Sequence, residues 1–552
     1  MKDSFFNAGT DKTATFTTGL ILVLSVTICY ILSSVLFIAG IGISAAVLPS
    51  AFLISCIAAA YGNSLRNTVT GVISASAVWI ICSYLCIVLY DTSYDGNMYH
   101  TEIVTDLFYG WNPYLDPSGI TSIKLWTEHY TKAMETVGAC LMSVTDRIQS
   151  AKAVMIVLAC GVFLMLPELL RRLNPRLSSR QSFLISLLTI SNPVVLCQIL
   201  RFYIDNVVYL TTVIAVVSGM LIAKGDRNRF FNYSLMAVAI VLAAGTKANA
   251  LVYVVFTIIC TMGWMFLYGD KKRILHFAGF CLIAGVVSVF GICWHPYVTN
   301  WISDGHPLYP LMGENPVDIM THNTPEQFKG NNRIENFFRS VFSIKNPSVD
   351  QRSGGFTPFF ILLFPLSVLS IVYCSRKQRQ FPVAAYTAIC VLASCFFFEQ
   401  SWWARYIPQL WLLVPLSAYM LMLSGKSRIA ETGRKAIVSL GVSAGCLCLS
   451  ISVVNAIWFT RQTDFMYDVL EGSTVPMMNG FPQIRRMFME KNIPVRLYDE
   501  DKLTPDESEK IPYNIMLGDE RKKILTPKQQ SEIDSMFRKE LIHRILYILP
   551  DK

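Results

Sequence analysis

The sequence predicts an all-α polytopic membrane protein of about thirteen transmembrane helices, followed by a small α/β lobe at the C-terminal end. Three observations predict it. Of the 552 residues 53% are hydrophobic and 15% charged, where a soluble domain carries about 25% charged residues, and the mean hydropathy is +0.44. Apolar runs of about 20 residues, each long enough to cross a hydrocarbon core, recur along most of the chain. The tail, residues 460–552, changes to a charged composition with short apolar runs.

The apolar runs fall near 16–38, 42–61, 68–90, 152–170, 181–199, 205–223, 230–246, 249–267, 275–293, 357–373, 381–398, 406–424 and 436–458. Each must satisfy its backbone polar groups internally, so each is expected as a helix; no strict two-residue alternation supports a barrel. The first run lacks a convincing cleavage site and is expected to be retained. The 15 cysteines lie mostly inside these runs, where they behave as small hydrophobes, and none has zinc spacing. The net charge of +9 sits in short turns between runs, which is a membrane pattern and excludes a nucleic-acid footprint.

Orientation follows from those turns. One set is rich in cations: Arg66; Arg171, Arg172, Arg176 and Arg180; Lys224, Arg227 and Arg229; Lys271, Lys272 and Arg273; Arg376, Lys377 and Arg379; Lys426, Arg428, Arg434 and Lys435. The alternate turns hold Arg201, Lys247 and Arg405 singly. The positive-inside rule places the first set, and the N-terminus, in the cytoplasm. Residues 1–459 then form a transmembrane domain with outer loops 91–151 and 294–356, and residues 460–552 an extracytoplasmic lobe with short apolar runs at 494–498 and 513–517.

The first outer loop opens DTSYDGNMYH and carries Asp91, Asp95, His100 and Glu102, then His129, Tyr130 and Lys132. Carboxylates, imidazoles and aromatics together at a bilayer surface point to polar chemistry there. Two apolar stripes, through Tyr99, Ile103, Val104, Leu107 and Phe108 and through Ala133, Met134, Val137, Leu141, Val144 and Ile148, predict short amphipathic helices lying on the membrane surface. The other outer turns carry Arg201, Tyr203 and Asp205, then Lys247, and then Trp402, Trp403, Arg405 and Tyr406; the second long loop carries His306, Tyr309 and Arg352.

Those stretches, YDGNMYH, HYTK, SNPV with its following Gln198 and Asp205, TKAN, PYVTNWISDGHPLYPL, RSGGFTP and WWARYIPQLW, resemble in order and shared face the bacterial multi-pass glycosyltransferases of the GT-C fold that use polyprenyl-phosphate sugars. The resemblance covers residues 90–412, with two departures. Two extra N-terminal spans precede the acidic loop, and His295 stands where an asparagine is expected. The resemblance implies that a first-loop carboxylate, Asp95 with Asp91 as its rival, acts as general base. The remaining outer-face residues named above would bind substrate. It implies a polyprenyl-phosphate sugar donor, a lipid, glycan or protein acceptor, contact with membrane lipids, and a bacterial plasma-membrane location. No cofactor is indicated, and a divalent metal stays open.

Plainer roles stand beside these: a helix cap for Asp95, a snorkelling interfacial cation for Lys247, a turn for Arg352, and Glu399 or a lipid headgroup as the partner of Arg405. A polyprenyl-diphosphate polymerase or ligase would share the basic outer residues. A transporter would need charges at mid-membrane and two matching halves, and the sequence has neither.

Overall fold

The computed structural model describes residues 12–498, apart from 92, 119–123, 268–269, 319–322, 346, 353–354, 378–380, 425–426, 473 and 479–481. The extreme N-terminus, the cations Arg379 and Lys426 and the expected apolar run at 513–517 lie outside the described residues.

Eight described helices are long and apolar enough to cross a membrane: Ala14–Ile38, Leu65–Val88, Ile148–Leu173, Asp205–Lys224, Arg229–Thr246, Ala248–Leu267, Lys271–Ile292 and Arg428–Phe465. Five further apolar helices are shorter: Val47–Ala60, Ala133–Thr145, Phe360–Arg376, Ala385–Cys395 and Pro408–Leu423. Asp205–Lys224 is the most enclosed of the eight and packs against the helices on either side of Lys247. Lys271–Ile292 lies at the other extreme. It leaves Leu275, Leu282 and Ile283 more than 60% exposed, a surface that suits lipid and not water.

Helix breaks account for the differences from the expected runs. The run 181–199 divides at Asn192-Pro193 into Ser179–Ile190 and Pro193–Gln198. Asn192 caps the second piece by accepting from Val194 N at 2.8 Å, and proline suits the first turn of a helix because no N–H is lost there. At Lys247 the backbone is extended, φ −166° and ψ 143°. This ends Arg229–Thr246 and begins Ala248–Leu267.

The two sets of turns separate to opposite ends of the bundle. At one end Lys12 donates to the Tyr61 carbonyl at 3.0 Å, Thr13 to Glu168 at 2.9 Å, and Arg172 pairs with Asp226 at 2.5 Å. At the other end Asp91 and residues 93–100, 201–206, 247 and 405 come together.

Two expectations need correction. The helix Ala133–Thr145 does not lie on a surface: Ala133 through Met142 are buried on every side, and Ile148 belongs to a separate 3₁₀ turn, Ile148–Lys152. Glycine and alanine on that helix allow the close approach, since a Cβ on Gly138 would come within 3.1 Å of Ala151 Cβ. The helix Thr101–Phe108 likewise buries Ile103, Val104 and Leu107. In addition, the last long helix, Arg428–Leu470, runs unbroken through residue 459. Beyond it, strands Val475–Met478 and Val495–Tyr498 pair in parallel around the helix Pro482–Glu490. That helix docks on the first loop through Gln483, which donates to the Asn97 carbonyl at 3.0 Å, and Arg486, which pairs with Asp146 at 2.5 Å.

Candidate functional site

A cavity of about 230 Å³ opens at the end of the bundle that gathers the cation-poor turns, and it draws on segments far apart in sequence. Tyr94, Asp95, Met98, Tyr99 and His100 enter from the first loop, and Trp126 and Tyr130 from its second half. Tyr203, Ile204 and Asp205 come from the start of a long helix, and Lys247 from the extended break. Asn323 and Arg352 come from the second loop, and Trp403, Arg405 and Tyr406 from the turn before Pro408–Leu423.

Local structure aims these side chains. Asp95 directly precedes a π-helical turn, Gly96–His100, and its side chain makes no capping bond. Gly96 is required there: a Cβ would lie 2.3 Å from Asp91 Oδ2 and 2.5 Å from Ser93 Oγ. Asp205 stands in the first turn of Asp205–Lys224, where the helix dipole favours a carboxylate. Lys247 projects from its break and gives Asp205 Oδ1 a 2.7 Å salt bridge. Burial alone would lower the Lys247 ammonium pKa; the Asp205 carboxylate reverses this, and the net shift is upward.

Arg405 lies at the centre. Its Nη1 donates to Asp95 Oδ2 at 2.7 Å and stands 3.8 Å from Asp205 Oδ2; its Nε is 3.1 Å from Asp350 Oδ1. The guanidinium carbon sits 4.3 Å from the Trp403 ring centre, close enough for a cation–π contact. Asp350 Oδ2 accepts from Arg352 Nε at 2.7 Å, and the Asp350 carbonyl accepts from the Trp403 indole at 2.6 Å. Burial pushes the Asp350 carboxyl above its ordinary value, against the pull of Arg405 and Arg352. The phenols of Tyr99, Tyr130 and Tyr203 are raised by burial first and by Asp95 among other causes. They therefore stay protonated and can donate. Asp95, Asp205 and Asp350 set against Arg405, Lys247 and Arg352 leave the cluster formally neutral.

Not every expected site residue reaches this cavity. Asp91 is fully buried and accepts from the backbone of Phe202 at 2.5 Å and of Ser93 at 2.9 Å, with Arg201 3.7 Å away. Arg201 itself donates to the Tyr90 carbonyl at 2.9 Å. His100 lines the wall, but its Nδ1 is engaged by Glu135 at 2.5 Å. Glu102 is buried and does not line the cavity. Lys132 lies beneath it, 2.7 Å from His295 Nε2, and burial pulls its ammonium down to about 7. His295, the departure from the expected asparagine, also contacts Thr299 at 2.9 Å. Burial, with Lys132 beside it, keeps the imidazole neutral, so Nε2 can accept from the amine.

His129 and Tyr309 form a separate edge-to-face pair at 4.7 Å that ties the two long loops through Asn300, and His306 accepts from its own loop at Leu308. Trp402 stacks between Phe328 and Trp403, away from the cavity. Glu399 stands 3.9 Å from Arg333, so it is not the partner of Arg405.

Sequence reasoning did not select Asp350, Trp126, Tyr94, Met98, Tyr99, Ile204 or Asn323 as site residues. Asp350 had a visible signal, an acid two residues before Arg352 in a glycine-containing loop. The others carry none until the chain is folded. Among the described residues no group of three or more His, Cys, Asp or Glu side chains gathers as a metal-ligand set. No family model, curated protein or solved structure matches the chain.

Proposed function

We propose that the chain is an integral-membrane glycosyltransferase of GT-C type that moves a sugar from a polyprenyl-phosphate donor to an acceptor hydroxyl at the extracytoplasmic face of a bacterial plasma membrane. It crosses the membrane about thirteen times with its N-terminus inside. The observation that carries this reading is a cavity in which two carboxylates, Asp95 and Asp205, three cations and several aromatic rings meet at the end of an apolar bundle.

Each part has a role in such a transfer. Asp95 takes the acceptor's proton as the acceptor oxygen bonds to the anomeric carbon from the face opposite the lipid phosphate. The bond from that carbon to the phosphate oxygen breaks, and configuration inverts. A base needs hydrogen-bond reach of the hydroxyl, and Asp95 lines the open space. The leaving phosphate gains negative charge, which preorganised cations stabilise; Arg405, Arg352 and Lys247 line the same wall. Arginine offers a planar fork that matches phosphate oxygens. Trp403, Trp126 and Tyr99 give flat apolar faces for a sugar ring. Surface chemistry also suits a donor whose tail stays in lipid.

The test is incubation of purified protein with radiolabelled polyprenyl-phosphate hexoses and pentoses, alongside mass spectrometry of co-purified lipid. Transfer from at least one donor, lost in Asp95→Asn, is expected. Absence of transfer from every donor, with no lipid phosphate co-purifying, sinks the reading.

A further inference from the structure

We propose that Arg405 changes its anion during the cycle: Asp95 holds its Nη1 edge until the donor phosphate takes that edge, and Asp350 keeps the Nε side throughout. The inference rests on the donor-site reading above and makes Asp350 a positioning residue.

Arg405 is 7% exposed. A guanidinium so enclosed needs an anion at every stage, because an unpaired buried charge is costly. Its five N–H groups form two usable edges. Nη1 is committed to Asp95 at 2.7 Å. Nε faces Asp350 Oδ1 at 3.1 Å without alignment into a hydrogen bond, so that side is held by charge and by the Trp403 ring beneath it.

The three carboxylates are not equally tied. Asp205 holds Lys247, accepts from Gln198 at 3.2 Å and lies within 3.8 Å of Arg405. Asp350 holds Arg352 and Arg405. Asp95 has one ion-pair partner among the described residues, Arg405. Asp95 is therefore the carboxylate that an incoming anion displaces at least cost.

The exchange resolves a conflict in the free site. While paired, Asp95 Oδ2 is committed to Arg405, which leaves the carboxylate one free oxygen and holds it toward the cation, so the pairing with Arg405 competes with service as a base. When the donor phosphate occupies Nη1, Asp95 is released toward the acceptor and takes its proton as the new bond forms. Asp350 then keeps Arg405 from following Asp95. The remaining charged neighbours, Lys247 and Arg352, stay bound to Asp205 and Asp350 and do not substitute for this step.

The experiment titrates full-length protein in detergent with a polyprenyl monophosphate as probe. Wild type, Asp95→Asn, Asp95→Ser and Arg405→Ala are compared. Removing a competing anion worth one charge-assisted bond is expected to tighten binding roughly tenfold in both Asp95 variants, and Arg405→Ala is expected to lose it. If wild type binds and a folded Asp95 variant binds no more tightly, the exchange is overturned while the donor site survives. If wild type does not bind the probe, the donor-site reading falls and the exchange with it. In turnover, Asp350→Asn leaves Arg405 to Asp95, so kcat is expected to drop roughly tenfold and donor KM to rise with it. A raised KM at unchanged kcat overturns the role given to Asp350.

Discussion

Arg405 Nη1 donates to Asp95 Oδ2 over 2.7 Å, across 310 residues of chain. The bond joins the first loop to the turn before the helix Pro408–Leu423, and it sets the candidate base on the candidate phosphate ligand. Its two ends have different chemistry and so fail differently when changed.

Asp95→Asn keeps the shape but cannot accept a proton. Transfer is expected to fall by about 10²–10⁴, with folding retained and lipid-phosphate binding no weaker than wild type. Radiolabel transfer and a thermal melt on the same preparation check this. Wild-type turnover in the variant would remove Asp95 from the mechanism.

Asp91 is held as a structural acid would be. It is fully buried and receives backbone N–H groups from Phe202 and Ser93. Asp91→Ala leaves those donors and Arg201 without their anion, at a cost of about 3–5 kcal/mol. Lower yield and a lower Tm are expected. A variant that melts like wild type yet transfers nothing would give Asp91 a chemical role instead.

Arg405→Lys keeps the charge and loses the fork and the flat stack on Trp403. Donor affinity is expected to fall by about 1.5–3 kcal/mol, one to two decades. Equal donor binding by wild type, Arg405→Lys and Arg405→Ala would make the residue purely structural.

Asp106, on the helix Thr101–Phe108, is 1% exposed, and burial pushes its carboxyl up to about 7; its Oδ2 has no hydrogen-bond partner. A carboxyl raised in the folded state opposes folding once the unfolded chain ionises. Stability therefore declines as pH rises from the ordinary carboxylate range toward 7, by roughly 1.4 kcal/mol per unit. Asp106→Asn removes that slope. The variant is expected to melt above wild type at pH 8 and close to it at pH 4. Parallel Tm–pH curves would show that Asp106 is not held neutral.

Reporters fused after Arg229 and after Asp464 are expected on opposite sides of the membrane, the first in the cytoplasm. The same side for both would overturn the orientation.

The sequence by itself determined the helical, membrane-type architecture. An apolar run near 20 residues has one way to satisfy its backbone in lipid, so Ala14–Ile38, Leu65–Val88 and Asp205–Lys224 sit within a few residues of where hydropathy places them. The separation of turns was legible too, because charge sorting acts on composition. Runs cut by local chemistry were harder to bound, as at Asn192-Pro193, where a cap and a proline divide one run into two short helices.

Only the tertiary structure decided which polar residues share a cavity. Lys132, Arg201 and Arg405 look alike in sequence, each a lone cation near an aromatic. Lys132 folds against His295, Arg201 against the Tyr90 carbonyl, and Arg405 alone into the open space beside Asp95. Asp91 and Asp95 are four residues apart, and one slight difference separates them. Gly96 lets the chain close tightly over Asp91, and the π-turn carries Asp95 out to the cavity wall. Spacing within a segment is a local property that sequence records. Which ends of distant helices meet depends on long-range packing, and no local pattern encodes that.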